Sequence, residues 1–244
     1  MEAFLLDKVQ RTDPIFLPST GEWDPESLMK AQTVLEVLQK TEIADEDPWV
    51  PLDQSTSLKE VLEYFTKKQN CHRVFLRDGQ GKVCSVLSQL TLLKFFQRKI
   101  DSIPVSLLET RVEQFFESGD SNYRRKVEVV PYSESACSAY QKMGFKGLSE
   151  IAISSSSGSI IGSLSGKDLI RNSSNYLTSL YKPVALYCGL ESPDKRTCTR
   201  NDTLETIIDK FCEGNVHKLY VITPQNVPEG VISLCDILSV FLPH

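Results

Sequence analysis

Apolar positions spaced i, i+3, i+4, i+7 recur three times along the chain: Leu58, Val61, Leu62, Phe65, then Ala136, Ala139, Tyr140, Met143, then Leu204, Ile207, Ile208, Phe211. This spacing lines one face of an amphipathic helix. A hydroxyl residue precedes each set, Ser57, Ser135 and Thr203, as a helix start requires. Two apolar runs of strand length follow each helix: Val74–Leu76 with Val83–Leu87, Ile151–Ile153 with Ser159–Leu164, and Leu219–Ile222 with Val231–Ile232. Glycine-containing turns, Asp78-Gly79-Gln80-Gly81 and Ser154 to Gly158, separate the first two pairs, and a turn rich in Pro, Gln and Asn separates the third. A closing helix, Ile237 to Leu242 in the last copy, completes a unit that reads helix, strand, strand, helix. Thr203 to Asp236 and Ser135 to Asp168 both span 33 residues and Ser57 to Thr91 spans 34, so the three units share one plan.

Composition narrows the picture. With 244 residues, 41% hydrophobic and 24% charged, the chain can bury one large core or two small ones. A net charge of -5 with scattered Lys and Arg argues against a nucleic-acid partner. No apolar stretch reaches the roughly 20 residues that span a bilayer, and Met1-Glu2-Ala3-Phe4 lacks the charged start of a signal peptide. An intracellular protein without a membrane partner is expected. Seven cysteines in no C-x-x-C pair read as reduced thiols, and three histidines, His72, His217 and His244, do not supply a clustered metal site.

The three units resemble CBS repeats, α+β modules that pair into a pseudo-symmetric disc (Bateman modules) with nucleotide clefts between partners. The last unit, with Asn201 to Ile208, Val216-His217-Lys218-Leu219 and Gly230 to Leu238, is similar to the final repeat of the gamma subunit of AMP-activated (sucrose-non-fermenting-type) protein kinases. Gly162 to Leu169 resembles the plant gamma-like branch. In that family four repeats are usual. His72-Arg73-Val74 with Thr91 to Phe95 resembles the second, and the middle unit the third. The resemblance implies repeats at 49–100, 127–172 and 196–242, connectors at 101–126 and 173–195, and a remnant of an upstream repeat plus a linker helix at 1–48. A longer product or a reduced family member would both give this pattern.

A nucleotide needs an acceptor for its ribose hydroxyls and cations or N–H donors for its phosphates. CBS repeats supply the acceptor at Gly-h-x-Ser/Thr-x-x-Asp, h being apolar. Gly230, Ser233 and Asp236 match it, as do Gly162, Ser165 and Asp168. Ser85, Ser88 and Thr91 lack the glycine and the carboxylate, so the first unit's own ribose site is expected to be non-functional. Asp at a helix start is also an ordinary cap, but a cap alone does not require the glycine. Thr203 completes this ligand set. For phosphate, His72-Arg73 and His217-Lys218 stand just before a strand, where related gamma subunits direct His and Arg into a central channel, and Lys167 resembles another basic residue of that channel. The middle unit has Ser149-Glu150 there and adds no cation.

The resemblance implies a non-catalytic regulatory subunit that takes AMP, ADP or ATP as a regulatory ligand rather than a cofactor. Its partners would be a catalytic alpha and a scaffold beta kinase subunit, in the cytoplasm with the nucleus also open to it. The alternative is a CBS-fold interaction or scaffold protein that binds no nucleotide. No Ser-His-Asp order, phosphate-cradling G-x-x-x-x-G-K-S/T or metal cluster points to an enzyme. The second and third units are expected to pack together. The first keeps an open face that would bind a partner or form a homodimer.

Overall fold

The computed structural model describes residues 51–67, 71–117, 127–171, 179–190 and 196–242. The readings of residues 1–48 lie outside them. The first unit comprises β1 (Pro51–Asp53), α1 (Leu58–Lys67), β2 (Arg73–Arg77), β3 (Val83–Ser88) and α2 (Gln89–Arg98). Two short helices, α3 (Val105–Leu108) and α4 (Val112–Glu117), follow. The second unit comprises β4 (Val129–Pro131), α5 (Ala136–Phe145), β5 (Glu150–Ser154), β6 (Ile160–Ser165) and α6 (Gly166–Arg171), and α7 (Val184–Cys188) comes after it. The third comprises β7 (Thr197–Cys198), α8 (Leu204–Gly214), β8 (Lys218–Ile222), β9 (Pro228–Ser233) and α9 (Leu234–Ser239).

Each unit carries one strand more than its apolar pattern predicts. β1, β4 and β7 are only three, three and two residues long, too short to show a period, and each runs parallel to the middle strand of its sheet. The middle and last strands are antiparallel, with Arg73 opposite Ser88, Glu150 opposite Ser165 and Lys218 opposite Ser233. A register shift falls at the same place in all three sheets, after Leu76, Ile153 and Val221. The closing helix of the third unit starts at Leu234 rather than Ile237, because the Ser233 hydroxyl already caps it by accepting from the Asp236 amide. Ser135 and Thr203 cap α5 and α8 in the same way, through the amides of Ser138 and Thr206. Ser57 and Glu60 satisfy each other reciprocally at the start of α1.

The third unit is the hub. Its α8 and α9 pack on α1 and α2, so Val61, Leu62, Phe65, Leu92 and Leu93 share one core with Leu204, Ile207, Ile208, Phe211, Ile237 and Leu238. Polar links cross the same seam. Gln97 Nε2 donates to Asp209 Oδ1 at 2.8 Å, Cys235 Sγ reaches the Phe65 carbonyl at 3.2 Å, and the rings of Phe96 and Phe241 stack 4.4 Å apart. Nothing in the repeat pattern foretold this helix partnership of first and third units, since amphipathic faces do not name their partners. Toward the second unit the third turns its sheet, where Ala152, Ile160 and Tyr220 are buried together and Val129, Ile222 and Val231 pack around them. A backbone bond from the Ile160 amide to the Asn226 carbonyl, 2.8 Å, ties the two hairpins. The second unit keeps its own core, from Ala136, Ala139 and Tyr140 to Leu164 and Val184. No helix among the described residues is long and apolar enough to cross a membrane.

Candidate functional site

Asp168 and Asp236 both sit at the third position of a closing helix, where the helix dipole favours a carboxylate. In each case one oxygen, Oδ2, accepts from the serine three residues earlier: from Ser165 N and Oγ at 2.8 and 2.9 Å, and from Ser233 N and Oγ at 2.7 and 2.6 Å. Asp236 is thus the acid of a full capping box, and Asp168 bonds back to Ser165 in the same way. Asp236 is 6% exposed, while Asp168 is half-buried and its Oδ1 makes no bond among the described residues. The backbone around Asp168 is held by two tyrosines, with Tyr140 Oη donating to the Ser165 carbonyl and Tyr187 Oη to that of Asp168, both at 3.2 Å. Burial, and then its neighbour Tyr187, pushes the Tyr140 phenol far up, so it stays a neutral donor. In the first unit Ser88 Oγ and Thr91 Oγ1 lie 2.9 Å apart and no acid is present.

Gly162 has a packing reason as well as the one the motif suggested. A Cβ there would come within 2.6 Å of the Leu190 side chain, which lies over the glycine just after α7. Gly230 is buried in β9 opposite Val221, and Thr203 is the cap of α8, its hydroxyl accepting from the Thr206 amide at 3.3 Å.

The cations are positioned by one bond repeated three times. The first amide of each closing helix donates to the carbonyl of the residue just before the middle strand: Gln89 to His72 at 3.3 Å, Gly166 to Ser149 at 3.4 Å, Leu234 to His217 at 3.2 Å. Gln89, itself buried, further anchors that corner by donating from Nε2 to the Cys71 carbonyl at 3.2 Å. His72 and His217, from the two helix-paired units, face a common recess of about 200 Å³ that Arg73, Ser88, Gln89 and Leu90 also line. Loss of water in the recess, and then the charges of Lys167, His72, Arg73 and Lys218, push the His217 imidazole down to about 4 from its usual 6.5. Part of His217 still meets solvent, so the crowd of cations is the firmer cause of the shift. Three units thus bring His72, Arg73, Lys167, His217 and Lys218 within electrostatic reach of one point, and Thr203 is not among the residues lining it.

A second hollow of about 370 Å³ opens beside Thr91, with Leu58, Leu87, Leu92 and Phe95 as its wall and Lys94 and Arg98 at its rim. Arg196 belongs to none of the sequence motifs. It precedes β7, and its Nη1 reaches Glu150 Oε1 at 3.1 Å and Ser163 Oγ at 2.5 Å in the second unit. No repetition flagged it, because the matching residue of the second unit, one place before β4, is Glu128.

A sequence profile of the CBS domain matches residues 41–98 and 190–243. These two segments therefore carry CBS-domain sequence, within a mixed α+β fold of three sheets of common register. The middle unit lies outside both matched segments but repeats their strand order. Over 204 residues the chain is 27% identical to 5'-AMP-activated protein kinase subunit gamma-3 of Bos taurus, covering 79% of this chain and 39% of that one. Protein sds23 of Neosartorya fischeri is 24% identical over 197 residues, 75% of this chain and 36% of its own. The chain therefore spans well under half the length of both relatives. Among solved structures, a Methanocaldococcus jannaschii protein described as a candidate archaeal homologue of the AMP-activated kinase gamma subunit superposes with a TM-score of 0.66 at 14% identity, covering 99% of this chain and 82% of that one. At that identity it speaks to the fold alone.

Proposed function

We propose that the chain is a non-catalytic regulatory module that binds adenine nucleotides, AMP, ADP or ATP, and acts within a protein kinase complex alongside catalytic and scaffold subunits. The observation that carries the reading is the recess that His72, Arg73 and His217 line in an acidic protein, with the charges of Lys167 and Lys218 also acting on His217. Such a cluster is costly unless an anion comes to it, and phosphate is the anion that His, Arg and Lys together suit. Asp236, at a helix start with the motif residues Gly230 and Ser233 before it, would accept the ribose hydroxyls. Similarity to a kinase gamma subunit supplies the partner class.

A second reading, a CBS-fold interaction module without nucleotide, draws support from Asp236 being 6% exposed and bonded within its own cap. Calorimetric titration of the chain with AMP and ATP separates the two. Saturable binding that weakens as salt rises is expected for the nucleotide reading. Absence of heat and of any thermal stabilisation by either nucleotide at millimolar concentration would favour the second.

A further inference from the structure

The sheet face that the second unit turns toward the third is apolar at Ala152 and Ile160 but polar at the end nearest Asp168. There Glu150 stands directly across from Ser165, the residue whose amide and hydroxyl bind Asp168, and Ser163 stands across from Ala152. Glu150 occupies the register position that Arg73 and Lys218 hold in the other two units, each opposite a cap serine. An acid there reverses the local charge. It is not left alone: Arg196 crosses from the third unit and binds Glu150 at 3.1 Å and Ser163 at 2.5 Å, with the Glu150 side chain 9% exposed and that of Arg196 30%. The pseudo-symmetric place on the opposite side behaves differently. Glu128, one residue before β4 as Arg196 is one before β7, pairs within its own unit with Lys142 on α5 at 3.3 Å and with Lys146 just after it at 3.1 Å. Among the described residues, a charged pair thus bridges the cleft between the two sheets on the Asp168 side.

We propose that Arg196 and Glu150 form a built-in plug that keeps nucleotide out of the Asp168 side of this cleft. The inference rests on the nucleotide reading for its ligand class. A ribose on Asp168 would lie along the face where Glu150, Ser163 and the Arg196 side chain now meet. A phosphate there would also have to face the Glu150 carboxylate, which repels it and already holds the arginine that could have neutralised it. The half-exposed Asp168 therefore remains a cap in the wild-type chain.

The test is the number of AMP molecules bound per full chain, by calorimetry, for wild type, for Arg196→Ala/Glu150→Ala, and for the same double variant with Asp168→Ala added. The double change removes both charges together, so neither is stranded. The plug predicts one AMP more in the double variant than in wild type, and loss of that extra molecule with Asp168→Ala. An unchanged count in a folded double variant overturns it. Wild type with Asp168→Ala alone provides a check that disturbs no ion pair: its count should equal that of wild type, and a loss of one overturns the plug even if the double variant fails to fold. No AMP in wild type but one in the double variant would sink the proposed wild-type function while supporting the plug. None in either would sink both.

Discussion

The first and third units have the same strand order, register and bulge, yet their sheets meet different fates. In the third, Tyr220 and Val231 face each other across the ladder and are covered by the second unit, as Ala152 and Ser163 are in turn. In the first, the corresponding pair is Phe75 and Val86, and Val86 is 47% exposed with Val83 at 38%. The site chemistry divides along the same line. Second and third units carry acidic caps at Asp168 and Asp236, whereas the first has the neutral Ser88 and Thr91 pair but contributes His72 and Arg73 to the recess. A unit of this kind has two separable surfaces, helices and sheet, and among the described residues the first unit packs on another unit through its helices.

The largest expected consequence is in stability. Ile160→Ala should cost about 2–5 kcal/mol by removing buried volume between two sheets, whereas Val86→Ala, at the matching but open face, should stay within about 0.5 kcal/mol. Urea unfolding of both variants measures this, and similar losses would mean that the first sheet is covered too. Next in size is the effect of the acid caps on ligand. Asp236→Ala should weaken AMP binding at least about tenfold, since a charged acceptor contributes about 1.5–3 kcal/mol per bond. Unchanged affinity would make Asp236 a cap and nothing more.

Smaller effects sharpen the contrast. Thr91→Asp gives the first unit the acid it lacks, and a carboxylate in the first helical turn should add up to about 1 kcal/mol of stability. It should add no AMP site, because among the described residues the hollow beside Thr91 is lined by the first unit alone; a new AMP equivalent in the titration would show that a paired sheet is dispensable. The last concerns pH. His217 is held neutral in the folded chain down to about 4, while the unfolded chain takes up its proton from 6.5 downward, so this residue adds a loss of stability as pH falls from 6.5 to 4 and none above. Wild type should lose more than His217→Gln across that window in urea midpoints, and equal losses would place the imidazole outside the cationic cluster.

Much of this was legible in the chain because the repeat is written in side chains. The helix faces at Leu58, Ala136 and Leu204 and the caps at Ser57, Ser135 and Thr203 follow from periodicity and hydrogen-bonding chemistry, and the structure shows helices starting at each. The short strands β1, β4 and β7 were not legible, since they exist only by pairing with a neighbour already in place. Nor was the choice of partner: Phe211 reads as a helix-face residue whether it packs on the first unit or the second. In the site, His217-Lys218 and the two acids could be picked out because they recur. Arg196 could not, as it stands against Glu128 in the repeat and gains its meaning only through Glu150 across the sheets. Gly162 was readable as a motif glycine, but its contact with Leu190, 28 residues later in the chain, was not.

The central claim is that the recess where first and third units meet is a phosphate site, and the most direct measurement compares AMP with adenosine on wild type and on His217→Ala/Lys218→Ala. Neutral adenosine gains nothing from cations, so the double variant should bind AMP at least about tenfold more weakly while its adenosine affinity stays within about twofold. Equal losses for AMP and adenosine would contradict it and assign these side chains to the framework of the strand edge.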